Sequence, residues 1–409
     1  MRRIPYVILI AVLAGCNDES RVTGPAAEVL ALSKQKEPAY RVDILRSSLG
    51  GTFSRGSGIA NGGLVAGFSF LPGDEVLHAA LWRGGEITDL GTLGGPSSRV
   101  PWPGVNNRGM AAGISQTGEL DPLNEDWSCE GGGFLPPTNP RQICSAFVWM
   151  DGAMQELPTL GGHHGFATGM NSRGQVVGWA ETPVHDPTCT GVQVLQFRAV
   201  MWEPRKGTMQ ELPPLPGDST SAANDVNERG QAVGISGDCD QAVGRFSALH
   251  GVLWDHGVPQ EIPNLGGVTW HTPQSINERG DVVGFSNPPG PGDPEGEFIA
   301  HAFLWINGSP AAIDLGTLPG DAFSQGQALN SRGQVVGVSI GDELRAFLWE
   351  DGVMMDLIEL AGPGFGPGEP HQLLSARDIN DRGQITGEVR EQGTGLTFTY
   401  IATPGCRRR

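Results

Sequence analysis

Side chains able to do chemistry stand at a few irregular places in this 409-residue chain: Trp102, Trp127, His163, His164, Asp218, Trp270, His271 and Asp321. An imidazole near a carboxylate could move a proton, and an indole face could hold an apolar group or a sugar ring. The pair His163–His164 could begin a metal site, but no third ligand stands at helical or strand spacing, and no Cys-x-x-Cys pair accompanies it. Neither metal nor cofactor is therefore expected. There is no nucleophile elbow, no His-Glu-x-x-His and no phosphate-binding glycine loop ahead of a helix, so no catalytic residue is assigned. A histidine beside glycine in a loop is ordinarily a solvated loop residue, and a loop tryptophan can simply cover an apolar patch. Taken together, the set is expected to mark a binding face.

These residues interrupt a repeat. Asn-x-Arg-Gly-Gln-x-Val-Gly appears as NSRGQVVG at 171–178, NERGQAVG at 227–234, NERGDVVG at 277–284, NSRGQVVG at 330–337 and NDRGQITG at 380–387. Looser copies are NNRGMAAG at 106–113 and ANGGLVAG at 60–67. The closing glycines 67, 113, 178, 234, 284, 337 and 387 lie 46, 65, 56, 50, 53 and 50 residues apart, a period that suits a propeller or another array.

Each unit reads as four short strands. One runs into a tryptophan: HAALW to Trp82, SAFVW to Trp149, RAVMW to Trp202, HGVLW to Trp254, HAFLW to Trp305 and RAFLW to Trp349. The next ends in Asp-Leu or Glu-Leu, and its in-phase acids, such as Asp89 and Asp314, read as structural. A third ends at the motif asparagine, and a fourth is the Gly-Gln-Val-Val-Gly run. The asparagine side chain can bond backbone two residues on, while the glycine three residues later accepts positive φ, so the motif is a tight turn. A calcium-loop reading of Asp225-x-Asn227-x-x-Gly230 and Asp378-x-Asn380-x-x-Gly383 fails, because the closing bidentate acid is missing. The repeated tryptophans are expected to pack between units.

The chain opens with only three of the four strands (Val42–Leu45, Ser54–Ile59, then 63–69) and ends on Phe398–Ile401, a strand of the tryptophan type with no successor. The strand missing at one end is the surplus at the other. The expected fold is all-β: a β-propeller over residues 41–402, seven four-stranded blades closed by pairing the N- and C-terminal strands, which leaves no free edge. Which strand is innermost stays open. The phrases HAFLW, DLGTLPG and NSRGQVVG resemble the HAF-repeat family of bacterial extracellular proteins across roughly residues 42–401. That resemblance implies an extracytoplasmic bacterial setting and no particular reaction.

A formal charge of −18 with pI near 4.8 argues against nucleic acid, whose recognition rests on clustered lysine and arginine. Residues 1–15 read as a signal peptide: Arg2-Arg3, then the apolar Ile4–Leu13, too short to span a bilayer. Leu13-Ala14-Gly15-Cys16 resembles the bacterial lipobox, which makes Cys16 the expected lipidation site, residues 16–40 a tether and 403–409 a short basic tail. Asn17 leans toward the outer membrane in a Gram-negative envelope. Cys129, Cys144, Cys189 and Cys239 all fall in long linkers, as suits an oxidising compartment. Of the three possible connectivities, Cys129–Cys144 and Cys189–Cys239 are expected; Cys406 is left without an assigned partner.

Alternating strand direction sorts the connections onto two faces. The tight Trp-x-x-Gly and Asn-x-Arg-Gly turns share one. The other carries the Leu-Gly-Gly or Leu-Pro-Gly loops and the long insertions 116–144, 181–197, 237–247 and 287–299, and insertions on one face of an array collect on its binding side. The expected function is a lipid-anchored, monomeric binding or scaffold protein of the bacterial envelope, with an unidentified protein or glycan on the inserted-loop face and membrane contact through the lipid alone. The alternatives are a polysaccharide-active hydrolase or lyase and an envelope-assembly factor. A Cys16→Ser chain should leave the membrane fraction on expression in bacteria, because a lipid chain is the only anchor expected; continued tight membrane association would contradict the lipobox.

Overall fold

The computed structural model describes residues 39–125, 129–130, 133–240 and 244–405; Cys16, Trp127 and Cys406 lie outside them. Seven antiparallel four-stranded sheets form a seven-bladed β-propeller, and the only α-helix among the described residues is the short Leu357–Ala361. The strand ending at the motif asparagine is the inner one. Successive inner strands, such as Thr220–Val226, Thr272–Ile276, Phe323–Leu329 and His371–Ile379, pack beside one another around the axis. The Val-Val-Gly strand comes second, the tryptophan strand third and the Asp-Leu strand outermost.

The ring closes through its ends. Tyr40–Leu45 pairs antiparallel with Thr397–Pro404, from Tyr40 opposite Pro404 to Leu45 opposite Thr399. Thr397–Pro404 in turn pairs with Ile385–Glu391, so the first strand becomes the outer strand of the last blade. The propeller thus extends slightly past the expected 41–402, because Tyr40, Thr403 and Pro404 belong to this ladder.

Apolar cores lie between blades. Val233, Leu253 and Ile262 of the fourth blade pack against Ile276, Val282, Phe303 and Trp305 of the fifth. Three tryptophans also tie each blade to the one before: the buried Trp82, Trp202 and Trp254 donate their indole N–H to the carbonyls of Ser47, Pro158 and Pro213, just past the preceding outer strands. Trp149 and Trp349 are half-buried. The hairpins after Trp149, Trp254 and Trp349 carry positive φ at Asp151-Gly152, His256-Gly257 and Asp351-Gly352, the conformation a tight two-residue hairpin requires.

The motif asparagine does more than make its turn. Asn227 Oδ1 accepts the amides of Arg229 and Gln231, while its Nδ2 donates to Gln231 Oε1 and to the carbonyl of Asn277 in the next blade at 3.1 Å. Asn277 reaches Asn330, Asn330 reaches Asn380, and Asn380 reaches Ala60 across the closure; Asn106 reaches Asn171, which reaches Asn227. The motif glutamine is therefore the partner of the asparagine amide, and the motif glycine, Gly230 at φ 82, supplies the left-handed residue between them. The closing glycine has a different cause. A Cβ at Gly234 would lie 2.0 Å from the Ala222 carbonyl oxygen on the inner strand, so no side chain fits.

A chain ending at Gly395 lacks Thr397–Pro404 and leaves both Tyr40–Leu45 and Ile385–Glu391 without their ladder partner. Its thermal transition should be lost or broadened across the whole molecule. A monomer melting within a few degrees of the intact chain would show that closure contributes little.

Candidate functional site

Repeat symmetry fails at the mouth of the axis on the inserted-loop face. The inner strand of the second blade is only Ser98–Arg99, because Pro101 and Pro103 have no amide hydrogen to give the ladder. Trp102, between them, is carried across the axis. Its Nε1 donates to Gln274 Oε1 on the inner strand of the fifth blade at 2.7 Å. Phe134, from the insertion 116–144, leans on this indole with ring centroids 5.3 Å apart and meets Phe166 edge-on at 4.9 Å.

Around Trp102 lies an open recess of about 250 Å³, walled by Arg55, Arg99, Arg377, Phe134, Gln274, Phe285, Gln325 and Gln327. Several wall residues arrive through β-bulges. The inner-strand register slips between Pro273 and Ser275, between Gly326 and Ala328, and between Ala376 and Asp378, so Gln274, Gln327 and Arg377 are the extra residues.

The three arginines come from adjacent blades, the seventh, first and second, and enclose one acid. Glu388 Oε1 accepts from Arg55 Nη1 and Arg377 Nη2, both at 3.3 Å. Arg99 Nη1 is held by the carbonyls of Gly133 and Phe134 at 3.1 and 2.9 Å. The Arg55 and Arg99 guanidinium carbons lie 4.9 and 4.2 Å from the centroid of the Phe68 ring. Burial and the neighbouring Arg377 cation push the Arg55 pKa down to about 9 against the pull of Glu388. Burial disfavours the Glu388 carboxylate, yet Arg377 and Arg55 outweigh it and hold its pKa below the usual range.

Of the described residues expected on this face, only Trp102 reaches the recess, and the structure does not bring the others together; Trp127 lies outside the described residues. His163 is half-buried, with its amide on Glu181. His164 is buried, and its Nδ1 accepts the Cys144 amide at 3.0 Å. Asp218 accepts from Ser236 Oγ and from His250 Nδ1 at 2.9 Å. Trp270 donates to the Gly296 carbonyl and packs edge-on against Phe298. His271 is buried against Phe303, with Nε2 donating to the Ile262 carbonyl at 3.0 Å. Asp321 is tied to Arg345 by contacts of 2.9 and 3.1 Å. Both expected disulfides are present, Cys129–Cys144 and Cys189–Cys239; the second joins insertions of neighbouring blades. Contrary to the expectation from the sequence, one Gly-x-Ser-x-Gly string is present, Gly337–Gly341 (GVSIG), but it is no elbow: it lies along a second strand, where Ser339 is buried and its Oγ accepts the Leu318 amide.

Two other polar places are weaker candidates. At the tight-turn mouth of the axis, Asp225 and Asp378 are pushed by burial to about 6 and 7. Their oxygens are spent on the following blade, on Ser275 and Ile276 and on Ile59. Beneath the insertion 116–144, Asp121, Glu125 and His164 converge within 4.8 Å, and burial together with Glu181 pushes Glu125 up to about 7. Because His164 Nδ1 accepts the Cys144 amide, the neutral ring carries its proton on Nε2, 3.7 Å from Asp121 Oδ2. That nitrogen is a donor and has no lone pair for a metal. Glu125 Oε1 accepts the amides of Val194 and Leu195, so the cluster joins two insertions.

No family model matches the chain, and no curated protein does. Among solved structures it is similar to an ulvan lyase solved with a glucuronate–sulfated-rhamnose ligand, at 9% identity over 87% of this chain and 96% of that one, TM-score 0.44. The polysaccharide lyase Uly1 gives 9% identity over 84% and 88%, TM-score 0.42. The acylaminoacyl peptidase of Pyrococcus horikoshii gives 11% identity over 85% of this chain, TM-score 0.44; the chain spans 51% of that enzyme's length. No inference about activity is drawn from likenesses this distant.

Burial lowers the His271 pKa to about 4, so the fold holds a neutral ring where the unfolded chain titrates at the ordinary value. Between pH 6.5 and 4 the unfolded state binds more protons, so this group's contribution falls with falling pH, by about 3 kcal/mol at most. Urea unfolding of His271→Gln and the parent chain at several pH values should show the gap between them narrowing by that order toward pH 4. Parallel curves would mean that His271 is solvated.

Proposed function

We propose that this protein is an extracytoplasmic binding protein that takes its ligand in the axial recess of the inserted-loop face and is held at the bacterial envelope by lipid on Cys16. The carrying observation is the recess itself: the one place where Trp102, Phe134, three glutamines and three arginines from different blades leave the repeat pattern and converge. Paired cysteines support a compartment outside the reducing cytoplasm. No helix among the described residues is long and apolar enough to cross a membrane, in keeping with attachment through a lipid.

A second reading, a polysaccharide-active hydrolase or lyase, is favoured by the polar character of the same recess. It asks for a proton donor and acceptor there. The acid beside the recess, Glu388, is clamped as a carboxylate between two arginines, so it is poorly suited to give or take a proton. Binding is the better fit.

Glycan and peptide arrays probed with the folded chain should give ligands whose affinity drops at least about tenfold in Trp102→Ala and in the milder Gln327→Ala, the loss expected of a central contact. Trp270→Ala, on the same face outside the recess, should leave them unchanged. The reverse pattern would move the site to the outer loops, and release of new saccharide ends would favour the hydrolase or lyase reading.

A further inference from the structure

The wall of the recess specifies more than a place. We infer that its ligand is an anionic saccharide, one whose sugar ring carries a carboxylate or a sulfate ester. The inference rests on the recess being the ligand site.

Charge is the first ground. The chain as a whole carries −18, yet three arginines meet here around one glutamate, three positive charges against one negative and a local excess of +2. Arg55 is nearly sealed, with 10% of its side chain exposed, and Arg377 shows 25%. A buried cation needs a partner close by, because it has given up its hydration. Glu388 serves two of them through a single oxygen, and Arg99 has only carbonyl partners among its hydrogen bonds.

The second ground is independent of charge count. The Nε–H groups of Arg55, Arg99 and Arg377 are all buried without an acceptor. One orphaned donor could be local irregularity. Three on the three arginines of one wall leave those guanidinium groups short of acceptors, a shortfall that carboxylate or sulfate oxygens at their remaining N–H groups would offset in paired hydrogen bonds.

The remaining wall decides what carries the anion. Gln274, Gln325 and Gln327 offer amide groups on the far side of the axis from Arg99, and Trp102, Phe134 and Phe285 offer flat apolar surface. A bare inorganic anion would use only the arginines. A peptide carboxylate would use them too but would leave the amides without hydroxyl partners. A sugar acid or sulfated sugar presents an anion, several hydroxyls and an apolar ring face together, and this recess offers a partner to each.

The test is calorimetric titration of the full chain with trigalacturonic acid, a sulfated trisaccharide, neutral maltotriose and inorganic sulfate. At least one charged trisaccharide should bind at least about tenfold more tightly than maltotriose and than sulfate. On the unaltered protein that affinity should fall several-fold between low salt and physiological salt, as contacts between charges are screened. Arg99→Gln should weaken it about tenfold or more. Maltotriose binding as well as the charged sugars, with Trp102→Ala abolishing both, would overturn the anionic class while leaving the recess as the site. Sulfate binding as tightly as either charged trisaccharide would overturn the saccharide. Binding insensitive to salt, or no binding by any charged trisaccharide, would overturn the inference, and insensitivity to Trp102→Ala as well would remove the recess reading with it.

Discussion

One amide side chain holds the ring together. Each motif asparagine satisfies two amides of its own turn and a carbonyl of the next blade, and in most blades also the side chain four residues on (a glutamine, or Asp281 beside Asn277), so one residue type both closes a hairpin and joins it to its neighbour. A buried amide must fill its hydrogen-bonding capacity or lose on the order of 1–3 kcal/mol for each group left unmet. Asn-x-Arg-Gly-Gln therefore recurs nearly as a unit: the asparagine amide takes an acceptor four residues on, glutamine in four blades and Asp281 in one, and the turn between them needs a glycine with positive φ. The circuit has one gap. Ala60 stands where the first blade would place its asparagine, and Asn61 takes over by accepting the Asp381 amide and giving its own amide to Asn107.

The candidate site lies where that regularity is relaxed, at the opposite end of the same inner strands. The second blade gives up most of its inner strand to Pro101-Trp102-Pro103, the first and seventh blades supply Arg55 and Arg377, and the insertion 116–144 folds Phe134 over the gap. A ring already secured at its turn end can accept such irregularity at its loop end. The bulges that deliver Gln274, Gln327 and Arg377 fall directly beside the closing glycines: there the inner carbonyl lies too close for a Cβ on the second strand, and the inner strand carries the extra residue.

Much of the fold could be read from the repeat: the blades, the pairing of the two ends, the sorting of turns and insertions onto opposite faces, and both disulfides. The site was far less legible. Attention goes to residues that stand out in loops, and among the described ones only Trp102 lines the recess. His164 and His271 look like loop residues because glycines or a strand start flank them, but insertions cover one and Phe303 packs on the other. The arginines were passed over because the letters do not say which strand is innermost. Once it is known, a signal appears: the residue three before each motif asparagine is Ser57, Pro103, Thr168, Asn224, Gln274, Gln327 or Arg377, polar in nearly every blade. Burial of Arg55 beside Arg99 and Glu388 comes from contacts between distant segments and has no local signature.

The central claim is that the asparagine circuit makes seven units one cooperative body. Native-state hydrogen exchange at the amides it protects, those of Arg173, Gln175, Arg229, Gln231 and their counterparts, tests this directly. The account predicts opening free energies that agree within about 1 kcal/mol around the ring and share one denaturant dependence. Values that step down from one blade to the next toward either end of the chain would contradict it, since that is the behaviour of an open array.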